Sequence, residues 1–442
     1  MPGPLEGVKV VDLTTVVVGP ICTRTLADQG AEVIKVEAPG GDILRYLAAG
    51  SRSPAMSGKF INFNRNKRSI VLNIKQPEGL AALKRLIAAA DVFVSNVRPA
   101  ALARAGLDYE ALRPLNPRLI HCGIVAFGTD GRYANRPAYD PIIQSLSGVA
   151  GTFERAIGEP RFVPMVMTDH ITGLVAAQSI GFALYRREKT GTGESIEVPM
   201  FETMASFVTS EHLGARTFDP PEGPSGDDRL LSPDYRPLPT RDGYLTVRPN
   251  DNRQAFAFFD AIGRPELKDD PRFTTALTRT ENAAAFFTVQ VEALAQKTTA
   301  EWLEIFARAD VPAGPYNSID DLLEDAHLQD VGFWGFEEHP TEGRIRRTRV
   351  PVTFRGGMRE TTRPAPRLGA QTREILAEAG YGAAEIDAML ESGAASLAPP
   401  LAGGRTHASG RGVAAPSPSS ASHPHPDSPP PAGEGIAAGS RA

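Results

Sequence analysis

The sequence predicts an α/β fold whose large domain is built on a mostly parallel sheet. Short β-branched runs alternate with helical patterns through the first two hundred residues, and this alternation is typical of a parallel sheet with helices on both faces. Near Pro220 the chain passes through a polar connection rich in proline and glycine, PPEGPSGDD, and a different mixture of strands and helices follows. The prediction is therefore a Rossmann-like large domain joined to a smaller α+β domain.

Strands and helices of the large domain can be placed from their residues. The strands are predicted at Val8–Leu13, Glu32–Glu37, Ser69–Ile74, Asp91–Ser95 and Leu119–Val125. A helix is predicted over residues 77–90, because Leu80, Leu83, Leu86 and Ile87 share one helical face. The turn after the first strand, DLTTVVVGP, lacks the GxGxxG pattern, so a dinucleotide site of the usual kind is not expected.

Changes in composition divide the rest of the chain. The predicted bounds are residues 1–205 for the first part of the large domain, 206–221 for a linker, 222–330 for the small domain, 331–396 for a C-terminal segment and 397–442 for a tail. Helices of the small domain are predicted at residues 253–262, 281–296 and 299–309, and a last helix pair lies within ILAEAGYGAAEIDAMLESG. The tail has almost no large apolar side chains, so it cannot offset the entropy of ordering and is predicted to be disordered.

Composition argues against several classes of protein. The formal net charge of −5 shows no basic excess, so no nucleic-acid partner is expected. The start MPGPLEGVKV does not have the pattern of a signal peptide, and no apolar stretch approaches ~18 uninterrupted residues, so no membrane association and a cytoplasmic location are predicted. The two cysteines, Cys22 and Cys122, are predicted to be buried free thiols, and no metal site is expected.

One acidic residue, Asp169, stands where an extended apolar run ends and an amphipathic helix begins, in the segment PMVMTDHITGLV. The first turn of a helix has unpaired backbone N–H groups and the positive end of the dipole, so a carboxylate there is expected to stay ionised. An ionised carboxylate can attack an acyl group. The alternative is that Asp169 only caps the helix, because aspartate is a preferred N-cap residue.

The surroundings of Asp169 carry a series of motifs. In chain order they are GVKVVDLTTVVVGPICTRTLADQGAEVIKVEAPGGD from Gly7, NRNKRSIVLNIKQPEG from Asn64, SNVRPAALARAGLDYEAL from Ser95, RPAYDPIIQSLSG from Arg136, TDHITGL from Thr168 and KTGTGESIEVPMFET from Lys189. This succession, over roughly Leu5 to Arg355, resembles the family III coenzyme A transferases. The resemblance implies that Asp169 is the catalytic nucleophile. It also implies that the C-terminal segment returns to the large domain and that two subunits interlock as a homodimer.

The resemblance further implies the reaction. Coenzyme A would move from an acyl-CoA donor, such as succinyl-CoA or acetyl-CoA, to a carboxylic acid acceptor. The intermediates would be an aspartyl anhydride and an aspartyl-CoA thioester at Asp169. The implied partners are an acyl-CoA, a small carboxylic acid and a second subunit. Because the coenzyme A thioester is a substrate, no tightly bound cofactor is expected.

Positions that would bind coenzyme A also follow from the resemblance. They are Val16, Val18, Leu72, Lys75, Asn96 and Arg104. Lys75 and Arg104 would offer cations to phosphate groups, whereas either residue in isolation would be interpreted as a solvated surface charge. Val17, Tyr139 and Asp140 match positions in the active site itself.

Two alternatives to a transferase stay open. The α-methylacyl-CoA racemases share this fold and resemble the chain, but they carry a histidine at the position of Tyr139. A phenol of pKa ~10 is a poor base near neutral pH, so Tyr139 favours a transferase over a racemase or isomerase. His170 does not replace that histidine, because adjacent helix residues point in different directions. The second alternative is a catalytically silent CoA-binding protein, which an intact Asp169 disfavours.

Departures from the family pattern narrow the substrate. Val17 stands where the formyl-CoA:oxalate enzymes have glutamine, and their glycine-rich run is absent around Gly226–Asp242, so formyl-CoA and oxalate are disfavoured. Arg229 and Arg236 are candidates to hold the second carboxylate of a dicarboxylic acid, with solvated surface arginines as the alternative. The sequence does not identify the acceptor acid.

Overall fold

The computed structural model describes residues 3–47, 52–355 and 363–398. The predicted disordered tail lies outside the described residues from residue 399 onward. The strands are β1 (Lys9–Leu13), β2 (Glu32–Glu37), β3 (Lys67–Leu72), β4 (Val92–Ser95), β5 (Ile120–Val125), β6 (Glu194–Pro199), β7 (Leu238–Pro239), β8 (Tyr244–Val247), β9 (Ala313–Pro315), β10 (Trp334–His339), β11 (Gly343–Thr348) and β12 (Ala395–Ser396).

The α-helices alternate with the strands in the first two hundred residues and dominate the chain between β8 and β9. They are α1 (Val18–Asp28), α2 (Gly58–Asn64), α3 (Pro77–Ala88), α4 (Pro99–Ala105), α5 (Tyr109–Leu112), α6 (Asp140–Leu146), α7 (Val149–Ile157), α8 (Met167–Thr190), α9 (Met200–His212), α10 (Asn252–Ala261), α11 (Ala276–Glu281), α12 (Ala283–Leu294), α13 (Thr299–Arg308), α14 (Asp321–Glu324), α15 (Ala326–Asp330), α16 (Thr372–Glu378) and α17 (Ala383–Glu391). Among the described helices, none is both long enough and apolar enough to cross a bilayer.

Seven strands form the large sheet, in the order β12-β3-β2-β1-β4-β5-β6. Six are parallel, and β12 pairs antiparallel with β3, so that Ala395 lies opposite Leu72. The order from β3 to β6 is that of the doubly wound Rossmann fold. The predicted α/β class of the large domain is therefore confirmed. The strand predicted at residues 69–74 begins earlier, at Lys67, and β6 was not predicted.

Successive residues of the central strands enter two separate cores, as the two-residue period of a strand requires. Val10 packs with α1 and α8 on one face, whereas its neighbour Val11 packs with α3, α16 and α17 on the other. Cys22 and Cys122 both lie in the first core as free, buried thiols, which confirms the prediction for them. Helices thus cover both faces of the sheet. A ligand can enter at the carboxyl ends of the strands.

A second set of elements follows residue 222. β8 pairs antiparallel with β7 and β9, and helices α10, α12 and α13 enclose a core that includes Phe258, Phe259, Trp302 and Phe306. The helix predicted over residues 281–296 is divided at Asn282, whose side chain donates to the Thr278 carbonyl. Helix α9 continues to His212, inside the predicted linker, and the predicted domain bounds stay a prediction.

The C-terminal part of the described chain returns to the large sheet. The predicted helix pair is present as α16 and α17, and Ile375 and Ile386 pack into the core beside α3. Arg68 on β3 pairs with Glu374 and Glu378 of α16. β12 then completes the sheet at the edge beside β3.

Candidate active site

The site lies where the strand order of the large sheet reverses, between β1 and β4. Loops that leave neighbouring strands at this point diverge, and a crevice opens at the carboxyl ends. Asn96, directly after β4, joins the two loops: its Oδ1 accepts from the Thr15 N–H at 3.0 Å and its Nδ2 donates to the Thr15 carbonyl at 2.9 Å. Asn96 therefore fixes the shape of the crevice as well as lining it.

The crevice holds a cavity of about 520 Å³. The predicted site residues that line it are Val16, Val17, Val18, Asn96, Tyr139 and Asp169. Tyr139 is 71% exposed, at the rim. The structure does not bring Leu72, Lys75 or Arg104 into this lining: Leu72 is buried in the core, and the other two side chains are exposed on the surface.

Asp169 is the third residue of α8, and another residue caps that helix. Asp140 Oδ1 accepts from the Thr168 N–H at 2.7 Å, from Thr168 Oγ1 at 2.6 Å and from the Asp169 N–H at 3.3 Å. Gln144 Nε2 in turn donates to Asp140 Oδ2 at 2.7 Å. The capping alternative for Asp169 is therefore wrong. The Asp169 carboxylate makes no hydrogen bond within the described chain, which leaves both oxygens available to a ligand.

The protonation of Asp169 differs from the sequence prediction. Asp169 is only 9% exposed, and this burial, together with the negative charge of Asp140, raises the pKa of its carboxyl to about 7. The expectation that the helix N-terminus keeps the group ionised is thus wrong, because the loss of hydration and the adjacent carboxylate outweigh the dipole. Near neutral pH the carboxyl group is poised between its two protonation states, as is common at functional sites.

Val16, in the loop after β1, has a strained backbone. Its φ angle of 67° lies in the left-handed region, which a β-branched residue rarely adopts. The Val16 N–H donates to the Asp42 carboxylate at 3.1 Å, and Lys35 Nζ donates both to Asp42 Oδ2 at 3.0 Å and to the Thr14 carbonyl at 2.9 Å. Such a conformation persists only where its surroundings enforce it. Lys35 and Asp42 therefore hold the wall of the cavity in place.

These two residues belong to a larger group that sequence reasoning missed, here called the buried charge cluster. Its members are Asp12, Lys35, Glu37, Asp42, Arg45 and Lys67, and all of them are almost fully buried. Lys67 Nζ lies 3.0 Å from Asp12 Oδ2, and Arg45 Nη2 lies 2.7 Å from Glu37 Oε2. For Asp12, Lys35 and Glu37, the signal was a charged residue beside apolar neighbours inside a predicted strand, because unpaired charges are almost never buried.

Two arginines of the cavity lining were also missed. Arg98 follows β4 by three residues, and Arg136 opens the RPAYD segment and lies over the Tyr133 ring at 4.4 Å. Within the described residues neither one forms an ion pair. The cavity therefore presents positive charge near Asp169. His170 lies outside the lining and packs edge-on against Phe63, as expected of a structural residue.

Comparison with known proteins agrees with this geometry. The sequence pattern of CoA-transferase family III matches residues 5–372. The chain is 34% identical over 392 residues to a succinyl-CoA:glutarate CoA-transferase of Mus musculus, covering 88% of this chain and 90% of that protein. It is 32% identical to a succinate–glutarate CoA-transferase of Agrobacterium fabrum, covering 85% and 95% of the two chains.

Among solved structures, a CaiB/BaiF family protein from Brucella suis superposes with a TM-score of 0.72 at 31% identity, covering 86% of this chain and 100% of that one. The predicted resemblance is thereby confirmed. The chain belongs to CoA-transferase family III and is a CoA-transferase.

Proposed function

We propose that Asp169 is the nucleophile that carries the acyl group and then coenzyme A. The Asp169 carboxylate lines the cavity and has no hydrogen-bond partner among the described residues. Because its pKa is raised to about 7, a small rise in pH above neutrality ionises it. This free carboxylate is the observation that supports the role most directly. A nucleophile must be free of competing partners and must reach its ionised form under working conditions.

The proposed steps balance without an external reagent. The Asp169 carboxylate attacks the thioester carbonyl and the C–S bond breaks. The coenzyme A thiolate departs, and an acyl anhydride remains on Asp169. The thiolate then attacks the aspartyl carbonyl, and the donor acid departs as a carboxylate. The acceptor carboxylate next attacks the carbonyl of the aspartyl-CoA thioester, which expels the coenzyme A thiolate and forms a new anhydride. The thiolate then attacks the acceptor carbonyl of this anhydride, which releases the acceptor's CoA thioester and the Asp169 carboxylate.

The donor we propose is a small acyl-CoA such as succinyl-CoA, and the acceptor is a dicarboxylic acid such as glutarate. The mouse and Agrobacterium relatives are succinyl-CoA:glutarate and succinate–glutarate CoA-transferases, which supports this choice. A panel of carboxylic acids incubated with succinyl-CoA or acetyl-CoA, with mass detection of new thioesters, tests it. Formation of glutaryl-CoA from succinyl-CoA is the expected result. If no dicarboxylic acid gives a new thioester, the proposal is contradicted.

A racemase or isomerase has less support. No histidine is found among the described residues that line the cavity, so a second base beside Asp169 is not evident there. Conversion of one α-methylacyl-CoA stereoisomer into the other without an acid acceptor would favour that alternative.

For coenzyme A we propose contacts with Val16, Val18 and Asn96, which the cavity lining supports. The proposed contacts of Leu72, Lys75 and Arg104 lack that support. Charge reversal at Lys75, which lies on the surface, tests its role: Lys75→Glu would raise the KM for acyl-CoA if the side chain pairs with a phosphate. An unchanged KM would remove Lys75 from the proposed set.

We also propose an interlocked homodimer that acts in the cytoplasm. Exposed apolar side chains on α8 and α9, among them Leu174, Phe182, Tyr185 and Phe207, support a partner surface. The two free thiols suit a reducing compartment. Size-exclusion chromatography with light scattering should give twice the chain mass. A stable monomer at micromolar concentration would contradict the dimer.

The pH dependence of the first chemical step tests the protonation of Asp169. Thiolate release from acyl-CoA in a single turnover should rise with pH around a midpoint near 7, because only the ionised carboxylate attacks. Asp140→Asn keeps an oxygen that can cap α8 but removes a negative charge that raises the Asp169 pKa. The midpoint should therefore move to lower pH in this variant.

The matched control for that experiment is His170→Gln, because His170 is the other titratable group beside Asp169 on the same helix turn. Its removal should leave the midpoint unchanged. If the midpoint moves with His170→Gln and not with Asp140→Asn, the titration does not belong to Asp169.

A further inference from the structure

A second cavity, of about 160 Å³, is lined by residues from the segment before β7 and from the region that extends from the end of β8 through α12. Arg229, Arg248 and Arg279 line it together with Phe286, Phe287 and Gln290, and we call this set the arginine pocket. None of its residues lines the cavity that contains Asp169. No carboxylate is among the described residues that line it.

The three guanidinium groups have little compensating negative charge. Arg279 is 4% exposed, and its guanidinium donates to the Phe273 carbonyl at 2.9 Å, to Asn252 Oδ1 at 3.0 Å and to the Asn250 carbonyl at 3.4 Å, all neutral acceptors. Within the described chain neither Arg248 nor Arg279 forms an ion pair, and Arg229 approaches Asp227 only to 3.7 Å. Buried charges are normally paired, because the loss of hydration is costly.

The nearby acids are occupied elsewhere. Asp251 is the acid whose charge acts on Arg279, but its carboxylate accepts from the Gln254 N–H at 2.7 Å and caps α10. Asp227 Oδ1 accepts from the Arg229 N–H at 2.9 Å, within its own turn. Burial lowers the pKa of Arg248, Tyr235 opposes that shift, and the positive charge of Arg229 adds to it. Among the described residues, Arg248 and Arg279 therefore have no carboxylate within ion-pair distance, and Arg229 has only Asp227.

A buried amide in the pocket also lacks a partner. Gln290 is 1% exposed, and its Oε1 has no hydrogen bond within the described residues. Because no partner fixes the orientation of the amide, its NH₂ group can also turn toward an acceptor. Arg248 is already positioned, since its guanidinium lies over the Tyr235 ring at 4.6 Å and over the Phe287 ring at 5.3 Å.

We propose that the arginine pocket binds the carboxylate of a small organic acid. Guanidinium groups match the two oxygens of a carboxylate, and Gln290 can donate to the same group. Phe286 and Phe287 offer an apolar wall for a hydrocarbon body, which inorganic phosphate would leave uncovered. The cavity, of about 160 Å³, is much smaller than the cavity that contains Asp169, which suits a small ligand.

Arginine-specific modification by phenylglyoxal, followed by peptide mapping with mass spectrometry, tests the proposal on the full chain without an activity assay. Benzoate is the probe and benzamide its uncharged analogue. At four times its dissociation constant, benzoate should slow the modification of Arg248 about fivefold by mass action. Benzamide should not slow it. Arg308 on α13, which is exposed, is the internal control and should react equally in all samples.

Further arms of the same experiment identify the ligand and the residues that hold it. Protection by inorganic phosphate without protection by benzoate would overturn the assignment to an organic acid. Slow modification of Arg248 with no ligand added, at a rate that benzoate does not change, would show instead that an acidic side chain of a partner subunit fills the pocket. Either result contradicts the proposal.

Arg229→Gln provides the matched variant, because Arg229 is partly exposed and its replacement does not disturb a core. Loss of one charge-assisted hydrogen bond should raise the half-protecting benzoate concentration about tenfold. An unchanged concentration would overturn the three-arginine site. The readout does not depend on turnover, so failure of this proposal and failure of the proposed transfer reaction are distinguishable.

Discussion

Replacement of Asp169 by asparagine is expected to reduce transferase turnover by several orders of magnitude. The neutral amide cannot attack a thioester, so neither the anhydride nor the aspartyl-CoA thioester can form. Stability at neutral pH should not fall and is expected to rise, because Asp140 still provides the helix cap and the amide removes the cost of ionising a buried carboxyl whose pKa is raised to about 7. Steady-state turnover and urea unfolding of the same preparation measure the two effects separately.

Chemical trapping identifies the residue that carries the intermediate. After incubation with acyl-CoA, hydroxylamine or borohydride should mark a single peptide that contains Asp169. Cys122 is the internal control, because burial raises the pKa of its thiol to about 12 and keeps it unreactive. Substantial activity of Asp169→Asn, or a mark on Cys122, would refute the mechanism while leaving the family assignment intact.

Replacement of Asp12 by asparagine is expected to lower the free energy of unfolding by about 3–5 kcal/mol. A loss of this size is typical when one partner of a buried ion pair is removed. Asp12 Oδ2 lies 3.0 Å from Lys67 Nζ and accepts from Thr23 Oγ1 at 2.7 Å. In the variant, Lys67 loses its carboxylate partner, and its pKa, which burial already lowers to about 8, falls further, so a buried amine is left without an ion pair. The free energy of unfolding in urea, at one fixed protein concentration, gives the loss.

An exposed pair provides the matched control for Asp12→Asn. Glu304 and Arg308 lie one turn apart on α13, with a distance of 3.4 Å between Glu304 Oε1 and Arg308 Nη2. Glu304→Gln removes the same charge from a solvated pair and should cost less than about 0.5 kcal/mol. Equal losses in the two variants would show that the buried charge cluster contributes no more than a surface pair.

The strand pattern could be predicted because it depends on neighbours along the chain. The run Glu32–Glu37 is rich in β-branched residues, and the structure places β2 at those residues. Apolar residues at helical spacing, such as Leu80 and Leu83, likewise predicted a helix that begins at residue 77, and α3 begins at Pro77. The alternation of strands and helices indicated a largely parallel sheet, but the order of its strands and the presence of β6 and β12 were not predicted.

The chemistry of the site depended on contacts between distant residues. Asp140 caps the helix of Asp169 and raises its pKa, yet the two stand in separate motifs. Asp42 accepts a hydrogen bond from the Val16 N–H, but the turn that contains Asp42 was assigned no role from the sequence. A local rule placed Asp169 correctly at a helix start, but it gave the wrong sign for the pKa because burial by other segments cannot be seen locally.

The position of β12 has a consequence for how the protein is made. β3 emerges from the ribosome early, but its edge partner, Ala395–Ser396, is translated after all of β4 to β11. At roughly 5–20 residues per second, this delay lasts on the order of 15–65 s. During that time the outer edge of β3 is open to pairing with other chains. Nascent chains of this enzyme should therefore depend on chaperone protection until translation is nearly finished.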